Sequence, residues 1–386
     1  MRLLHTSDWH LGRSFHRVDL LGAQAAFVDH LVETVRAERV DAVLVSGDVY
    51  DRALPPVDAV RLCDEALHRL AELTKVVLIA GNHDSAQRLG FGAGLMGAAG
   101  VHVRTDQARV GEPVMLGPAD AGADAGGGAV AVYGIPYLEP ELVRHTWELT
   151  DRGHAAVLTE AMRRIRADAA RRPGVRTVVL AHAFVTGGEP SDSERDISVG
   201  GVSHVPVGVF DGIDYVALGH LHGRQRLTER VRYSGSPLAY SFSEEHHRKG
   251  CWLVDIGPAG VKEIDFIDAP VPRPPARLRG RLDDLLTAAS YEPYREHWLQ
   301  VTLTDPVRPA GAMERLRGRF PHTLVLGFEP DGAAATEHAT WTDRVKERSD
   351  LDIALDFVGE VGGAAATKAE RALLRAAFES CRPALP

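Results

Sequence analysis

The chain has 386 residues, 45% of them hydrophobic and 25% charged, an ordinary globular composition with enough apolar material for a full core and enough length for two domains. The formal net charge of −9 argues against a nucleic-acid partner but does not exclude one, because an enzyme that binds metal through carboxylates can be acidic and still line one groove with arginine. Cys63, Cys251 and Cys381 are few, odd in number and far apart, so neither a disulfide framework nor a thiolate metal site is indicated.

Met1 to His5 runs straight into a polar cluster and leaves no room for a signal peptide. No apolar stretch reaches the roughly 18 to 20 residues that span a bilayer. The expected location is the cytoplasm, in association with the nucleoid, with no membrane contact. From Met1 to Asp268 strand and helix patterns alternate. Leu3-Leu4 opens a strand, and Ala23 to Arg39 carries Phe27, Leu31, Val32 and Val35 at helical spacing. Ala42 to Val45 reads as a second strand, and Pro55-Pro56 opens a second helix with Val60, Leu67, Leu70 and Leu73 on its buried side. Strands follow at Val76 to Ile79, Val178 to Leu180 and Tyr215 to Leu218, with a helix over Arg152 to Arg172. Strand–helix–strand repetition implies parallel units.

Gly117 to Gly128 is an Ala/Gly/Asp tract expected to form a surface loop. The proline-dense stretch 269–276 marks a linker that closes a first domain over 1–268. Beyond it, Trp298 to Leu303 and Thr323 to Phe328 read as strands flanking a helix over Ala310 to Arg319, a small α+β domain over 277–360. In the last segment, 361–386, Lys368 to Ser380 is an amphipathic helix, either projecting toward a partner or folded back on its own domain.

Each apolar run of the first domain ends in a short polar cluster: Asp8-Trp9-His10, Gly47-Asp48, Gly81-Asn82-His83-Asp84, His182 and Gly219-His220-Leu221-His222. In α/β sheets ligands gather beyond the carboxyl ends of strands. Oxygen ligands mixed with imidazoles at one edge describe a dinuclear metal site, suited to Mn²⁺, Fe²⁺ or Zn²⁺ rather than Ca²⁺. Two close cations need a carboxylate between them, and Asp48, after a central strand, is the natural bridge. A lone histidine beside a strand carries little weight; the ordered set of five clusters carries much. Asp84 is expected to serve a turn rather than a metal.

The clusters resemble the calcineurin-type metallophosphoesterase superfamily. With His5-Thr6-Ser7-Asp8-Trp9-His10-Leu11-Gly12, Ser193-Glu194-Arg195-Asp196-Ile197-Ser198-Val199-Gly200-Gly201 and Tyr233-Ser234-Gly235-Ser236-Pro237-Leu238-Ala239-Tyr240-Ser241-Phe242 they are similar to the SbcD family, nuclease subunits of bacterial SbcCD double-strand-break complexes. The resemblance covers about residues 1 to 268 by motif and the rest by domain order. It implies an α/β fold: a calcineurin-like metallophosphoesterase β-sandwich flanked by helices, then a small α+β capping domain and a terminal helix. It implies a first metal on Asp8, His10, Asp48 and His222, and a second on Asp48, Asn82, His182 and His220, most simply two Mn²⁺ ions. His83 would face the scissile phosphate without binding metal, and Asp51 would orient it by a hydrogen bond.

The same resemblance implies exonuclease action on duplex ends and endonuclease action on single strands and hairpins. It also implies a homodimer joined to the SMC-like ATPase SbcC in a heterotetramer serving DNA repair, recombination and replication. No phosphate-binding Gly-x-x-x-x-Gly-Lys loop occurs in this chain, so ATP dependence would come from the partner, docked on the terminal helix. Arg13, Arg17, Arg88, Arg195 and Arg224 flank the clusters and are candidate phosphate contacts for DNA, each with a solvated arginine as its plain alternative. Arg52 is a further possibility. The alternatives to a nuclease are a small-molecule phosphodiesterase or phosphatase of the same superfamily, and a scaffold that has lost its chemistry.

Overall fold

In the computed structural model, which describes residues 1–117, 128–195, 197, 204–331, 348–362 and 365–380, all five apolar runs are strands. They are Arg2–Thr6, Ala42–Ser46, Lys75–Ile79, Arg176–His182 and Tyr215–Gly219. The first three lie in one six-stranded sheet and the last two in another. Within each sheet these strands run parallel, so their carboxyl ends share an edge. Gly250–Gly257 pairs antiparallel beside Arg2–Thr6 and is followed by Gly260–Asp268 at the sheet's edge.

The two sheets are packed face to face because both faces of the central strands are apolar. Leu3, Leu44, Val77 and Ile79 of one sheet share a core with Val132, Val178, Leu180 and Ala217 of the other. The alternate residues Leu4, Val43, Val45 and Leu78 instead pack under two helices, Leu21–Glu38 and Val57–Ala71. The outer face of the second sheet is covered by helix His154–Ala169 through Val157, Leu158, Met162 and Ile165. The architecture is a helix-flanked β-sandwich, continuous apolar strands being what a doubly covered parallel sheet requires.

Phe27, Leu31, Val32 and Val35 are buried on the first helix as their spacing predicts. The second helix differs from expectation. Its buried stripe is Ala59, Leu62, Cys63, Ala66, Leu67 and Leu70, a regular 3- and 4-residue alternation, whereas Val60 is 43% and Leu73 38% exposed. Leu67 and Leu70 are buried as expected, and the small residues Ala59, Cys63 and Ala66 with Leu62 complete the buried face. Leu73 lies beyond the helix end.

The chain divides into two compact units, Met1–Pro275 and Ala276–Pro386. In the second, strands Pro275–Gly280, Trp298–Leu303 and Thr323–Phe328 form a three-stranded sheet in that order. Leu282, Leu285, Leu299, Val301, Leu316 and Phe320 fill its core against helix Ala312–Arg319. Helices Asp350–Gly362 and Lys368–Ser380 follow, the second with Leu373 largely exposed. Cys63 and Cys251 are buried free thiols, both pushed up to about 12 by burial. Cys381, most of the tract 117–128, and Asp196 with the 198–201 part of its motif lie outside the described residues. No described helix is long and apolar enough to cross a membrane.

Candidate metal centre

The shared strand edge is joined across the sandwich by polar pins. Ser46 Oγ donates to the Ala217 carbonyl at 2.9 Å, and His5 spans the sheets to the Tyr215 hydroxyl at 2.9 Å and the Leu218 carbonyl at 3.1 Å. These hold the ends of strands from different sheets at one level, so the loops that follow converge. The backbone there is strained: Asp8, His10 and Asp48 have φ of 53°, 46° and 48°, and His220 has 105°. Such conformations cost about 1–3 kcal/mol each outside glycine and persist where the surroundings over-determine them, often at functional sites. Glycine precedes the polar residue where backbones nearly touch. An added Cβ at Gly81 would collide with the Asp48 carboxylate, and one at Gly219 with the Ser46 carbonyl.

Asp8, His10, Asp48, His182, His220 and His222 are all at most 3% exposed, and their side chains meet. Asp48 Oδ2 lies 3.6 Å from His10 Nε2, 3.5 Å from His182 Nε2 and 4.0 Å from His83 Nε2. Asn82 Oδ1 lies 2.8 Å from His182 Nε2 and 3.2 Å from His220 Nδ1. On the other side, the Nε2 atoms of His10 and His222 are 3.1 Å apart. Asp8, His10 and His222 bring ligand atoms within 4.8 Å of one another, as do Asp8, Asp48 and His182.

The supporting hydrogen bonds fix which ring nitrogens face inward. His182 Nδ1 donates to the Ser46 carbonyl at 2.9 Å, turning Nε2 to the centre. His222 Nδ1 donates to Ser193 Oγ at 2.5 Å, and that hydroxyl donates to Glu244 Oε1 at 2.6 Å. Glu244 is itself paired with buried Lys249, whose ammonium also donates to the His222 carbonyl at 2.9 Å. Such outer partners orient ligands and set the tautomer. Asp8 accepts from Ser7 Oγ at 2.5 Å and from the His220 N–H at 3.0 Å. Ser193, Glu244 and Lys249 are not among the residues singled out from sequence, although Ser193 opens one of the quoted motifs.

The electrostatics describe a pocket built for positive charge. Burial alone would raise the Asp48 carboxyl, but His182, His10 and His83 around it hold it well below the carboxylate range. Burial would lower His182, yet Asp48 outweighs it and lifts the ring to about 9. His10 and His220 are driven well down, chiefly by burial. Asp8, raised by burial to about 6, is a second carboxylate whose charge the interior resists. Without metal, the raised His182 ring carries protons on both nitrogens, Nδ1 toward Ser46 and Nε2 toward the oxygens of Asn82 and Asp48, and a bound cation would take the place of the inner proton. Inward-facing acceptors at this density fit divalent cations, and the mixed N/O donor set fits first-row metals. His10 Nδ1 is buried without a hydrogen-bond partner, its nearest charged neighbour being Asp51 Oδ1 at 3.6 Å.

His83 stands beside this group. Its N–H donates to Asp48 Oδ1 at 2.8 Å and its Nδ1 to the backbone carbonyl of Asp51 at 2.7 Å. The expected Asp51–His83 bond is therefore made by main chain. The Asp51 carboxylate faces His10 and, at 3.7 Å, Arg13. Asp84 accepts from the N–H groups of Val49, Tyr50 and Gly81, the turn role expected of it.

The five arginines are not alike. Arg13 is engaged within the protein, donating to the Ser193 carbonyl at 2.9 Å and lying over the Tyr240 ring. Arg88 donates to the Ala53 carbonyl at 3.3 Å, and Arg17 is exposed. Arg195 is exposed near His83, whose ring is lowered chiefly by burial and further by the arginine's charge. Arg224 is half-buried, its guanidinium 4.6 Å from the Phe266 ring centre and 5.5 Å from that of Trp252. Arg52 is exposed, with Asp51 at 3.8 Å.

The calcineurin-like phosphoesterase family model matches residues 1–224, more than half of the chain. A second model, the SbcD C-terminal one described as the type 5 capsule protein repressor C-terminal domain, matches residues 271–361. Among solved structures, a protein of Thermus thermophilus is 12% identical over 69% of this chain and 98% of its own, with a TM-score of 0.40. A dimetal phosphatase from Danio rerio is 13% identical over 70% and 99%, with a TM-score of 0.40.

Proposed function

The chain belongs to the calcineurin-like phosphoesterase family, and from that premise we infer that it is a dinuclear-metal DNA nuclease of the SbcD type. The observation that carries the narrower reading is the SbcD C-terminal match on the same chain as the phosphoesterase domain. In this reading the chain cuts duplex ends exonucleolytically and single strands and hairpins endonucleolytically, with the ATPase SbcC as partner. Helix Lys368–Ser380 of the second unit, with exposed Leu373, would dock the ATPase.

Asp8, His10, Asp48 and His222 would hold one ion, and Asp48, Asn82, His182 and His220 the other, with Mn²⁺ as the expected metal. Such a pair supplies a water deprotonated near neutral pH and charge neutralisation for in-line attack on phosphorus. The protein's own part is to fix the donors. The Ser46 carbonyl and the Ser193–Glu244–Lys249 relay aim two of the imidazoles, and Ser7 and the His220 N–H steady Asp8. His83, anchored by its Nδ1 on Asp51, presents Nε2 to stabilise the pentacoordinate phosphorus or protonate the leaving oxygen.

The test is hydrolysis of an end-labelled hairpin and a blunt duplex, with and without Mn²⁺, against nucleotide monoesters and cyclic nucleotides. Mn²⁺-dependent cleavage of both DNAs is expected, weakening steeply with salt. Reversing Arg195 and Arg224 together should reduce that salt slope by about 2 phosphate equivalents. Turnover of the small substrates alone would transfer the chain to the small-molecule phosphodiesterases, and an unchanged slope would remove the arginines from the DNA path.

The homodimer has a candidate surface in the first unit. Leu54, Val57, Phe91 and Leu95 are 66%, 67%, 85% and 83% exposed, and two of them, Leu54 and Phe91, border one groove with Tyr50 and Met96. Sedimentation should give a dimer for the full chain and a monomer for a Phe91→Glu/Leu95→Glu variant. A dimer that survives both changes would move the interface elsewhere.

A further inference from the structure

Beside Asn82 the first unit opens into a cleft of about 620 Å³. Its floor is the Gly81-Asn82 loop that also feeds the metal centre, and its walls include Gln87, Gln107, Tyr137, Glu139 and Leu142. The volume lies within the range of small-molecule sites, about 300–1,000 Å³. Tyr137 is tied at both ends, its N–H donating to the Ala80 carbonyl at 2.8 Å and its hydroxyl to Glu139 at 3.2 Å. Its ring stands edge-on to His182, centroids 6.4 Å apart. A half-buried aromatic ring is thus held in place next to His182 of the candidate metal centre.

The charge of the cleft decides what enters it. Neither lysine nor arginine is among the described residues lining it, while Asp84, Asp106 and Glu139 are. Asp84 is consumed by three backbone N–H groups, and Asp106 caps Ala108. Carboxylates without cations repel a phosphate, so a sugar–phosphate backbone does not lie here. A nucleobase is uncharged, offers a π-face to Tyr137, and presents amino and carbonyl edges that the Gln87 and Gln107 amides and Glu139 complement. Leu142, 69% exposed, supplies an apolar wall.

We propose that this cleft is a nucleobase subsite: it takes an unpaired base next to the scissile phosphate and stacks it on Tyr137. The proposal rests on the nuclease reading for the identity of the strand, and deepens it. Amide edges can turn to suit any base, so recognition would be of an unstacked base rather than of sequence. Duplex ends and hairpin loops, where bases leave the stack at least cost, would fit it best.

The test is KM and kcat on single-stranded oligonucleotides carrying one abasic site stepped along the strand, for the wild type, Tyr137→Ala and Leu142→Ala. Stacking is worth about 1–3 kcal/mol per base, so an abasic site at one position adjoining the cut should raise KM by roughly 5- to 150-fold. In Tyr137→Ala the same abasic site should have little further effect, because the two changes remove one contact. Leu142→Ala, at an exposed position, should show a weaker form of the same non-additivity and serves if Tyr137→Ala fails to fold. Additive effects, or no sensitive position, would overturn the subsite. If the wild type cuts no oligonucleotide, NMR shifts of free deoxyadenosine separate the two ideas. Saturable binding lost in Tyr137→Ala keeps the subsite while the nuclease reading falls, and no binding removes both.

Discussion

Asp48→Ala is expected to lower phosphodiester turnover by about 10³-fold or more, roughly 4 kcal/mol of barrier. Its carboxylate faces His10 on one side and His182 on the other, and receives the His83 N–H. On the proposed ligand sets, neither half would keep a full donor set without it. The variant should also lose the stabilisation that cations confer, which for a folded protein at one hundred times Kd is about 2.7 kcal/mol per site. Thermal melting with and without Mn²⁺ reads this directly. In the metal-free protein the change leaves the buried His83 N–H without its acceptor, a cost of about 1–3 kcal/mol, so a modest fall in Tm is expected as well. Wild-type turnover in the variant, or an unchanged Mn²⁺-dependent rise in Tm, would show that Asp48 is not shared between ions.

His83→Ala separates chemistry from metal binding. His83 meets Asp48 through its backbone N–H, which the substitution keeps, and through a 4.0 Å approach of its ring Nε2. Ion binding should therefore survive, while kcat falls by about 10²–10⁴-fold, the usual contribution of a positioned acid or base. Asp51→Ala should be far milder on His83, since the bond from Nδ1 goes to a carbonyl that alanine retains. Loss of bound metal in His83→Ala would make His83 a ligand, and unimpaired kcat would remove it from the reaction.

The edge of the sandwich where Asp8, His10, Asp48, Asn82, His182, His220 and His222 meet was legible in the chain. Each lies just past a continuous apolar run, and strands buried on both faces write themselves as such runs. The terminal helix and the two strands of the second unit were legible for a similar reason, a clear local period. What stayed hidden was set by contacts distant in sequence. Ser193 reaches Glu244 across 51 residues, and nothing in local spacing announces that pairing. Asp51 illustrates another limit: motif reading finds the residue but not whether its side chain or its carbonyl makes the bond. In helix Val57–Ala71 Leu67 and Leu70 were legible, whereas the small residues Ala59, Cys63 and Ala66 that share their buried face were not, a small side chain carrying a weak hydrophobic signal. The arginines divide by partners that only the fold supplies, with Arg13 spent on the Ser193 carbonyl and Arg224 lying on two aromatic rings.

Equilibrium dialysis against Mn²⁺ with elemental analysis of the protein tests the centre itself, independent of any substrate. Saturation at two ions for each wild-type chain, falling below one in Asp48→Ala, is the result these side chains demand. A wild-type chain that saturates at one ion or none, or an alanine variant that still holds two, would contradict a shared carboxylate at the heart of the site.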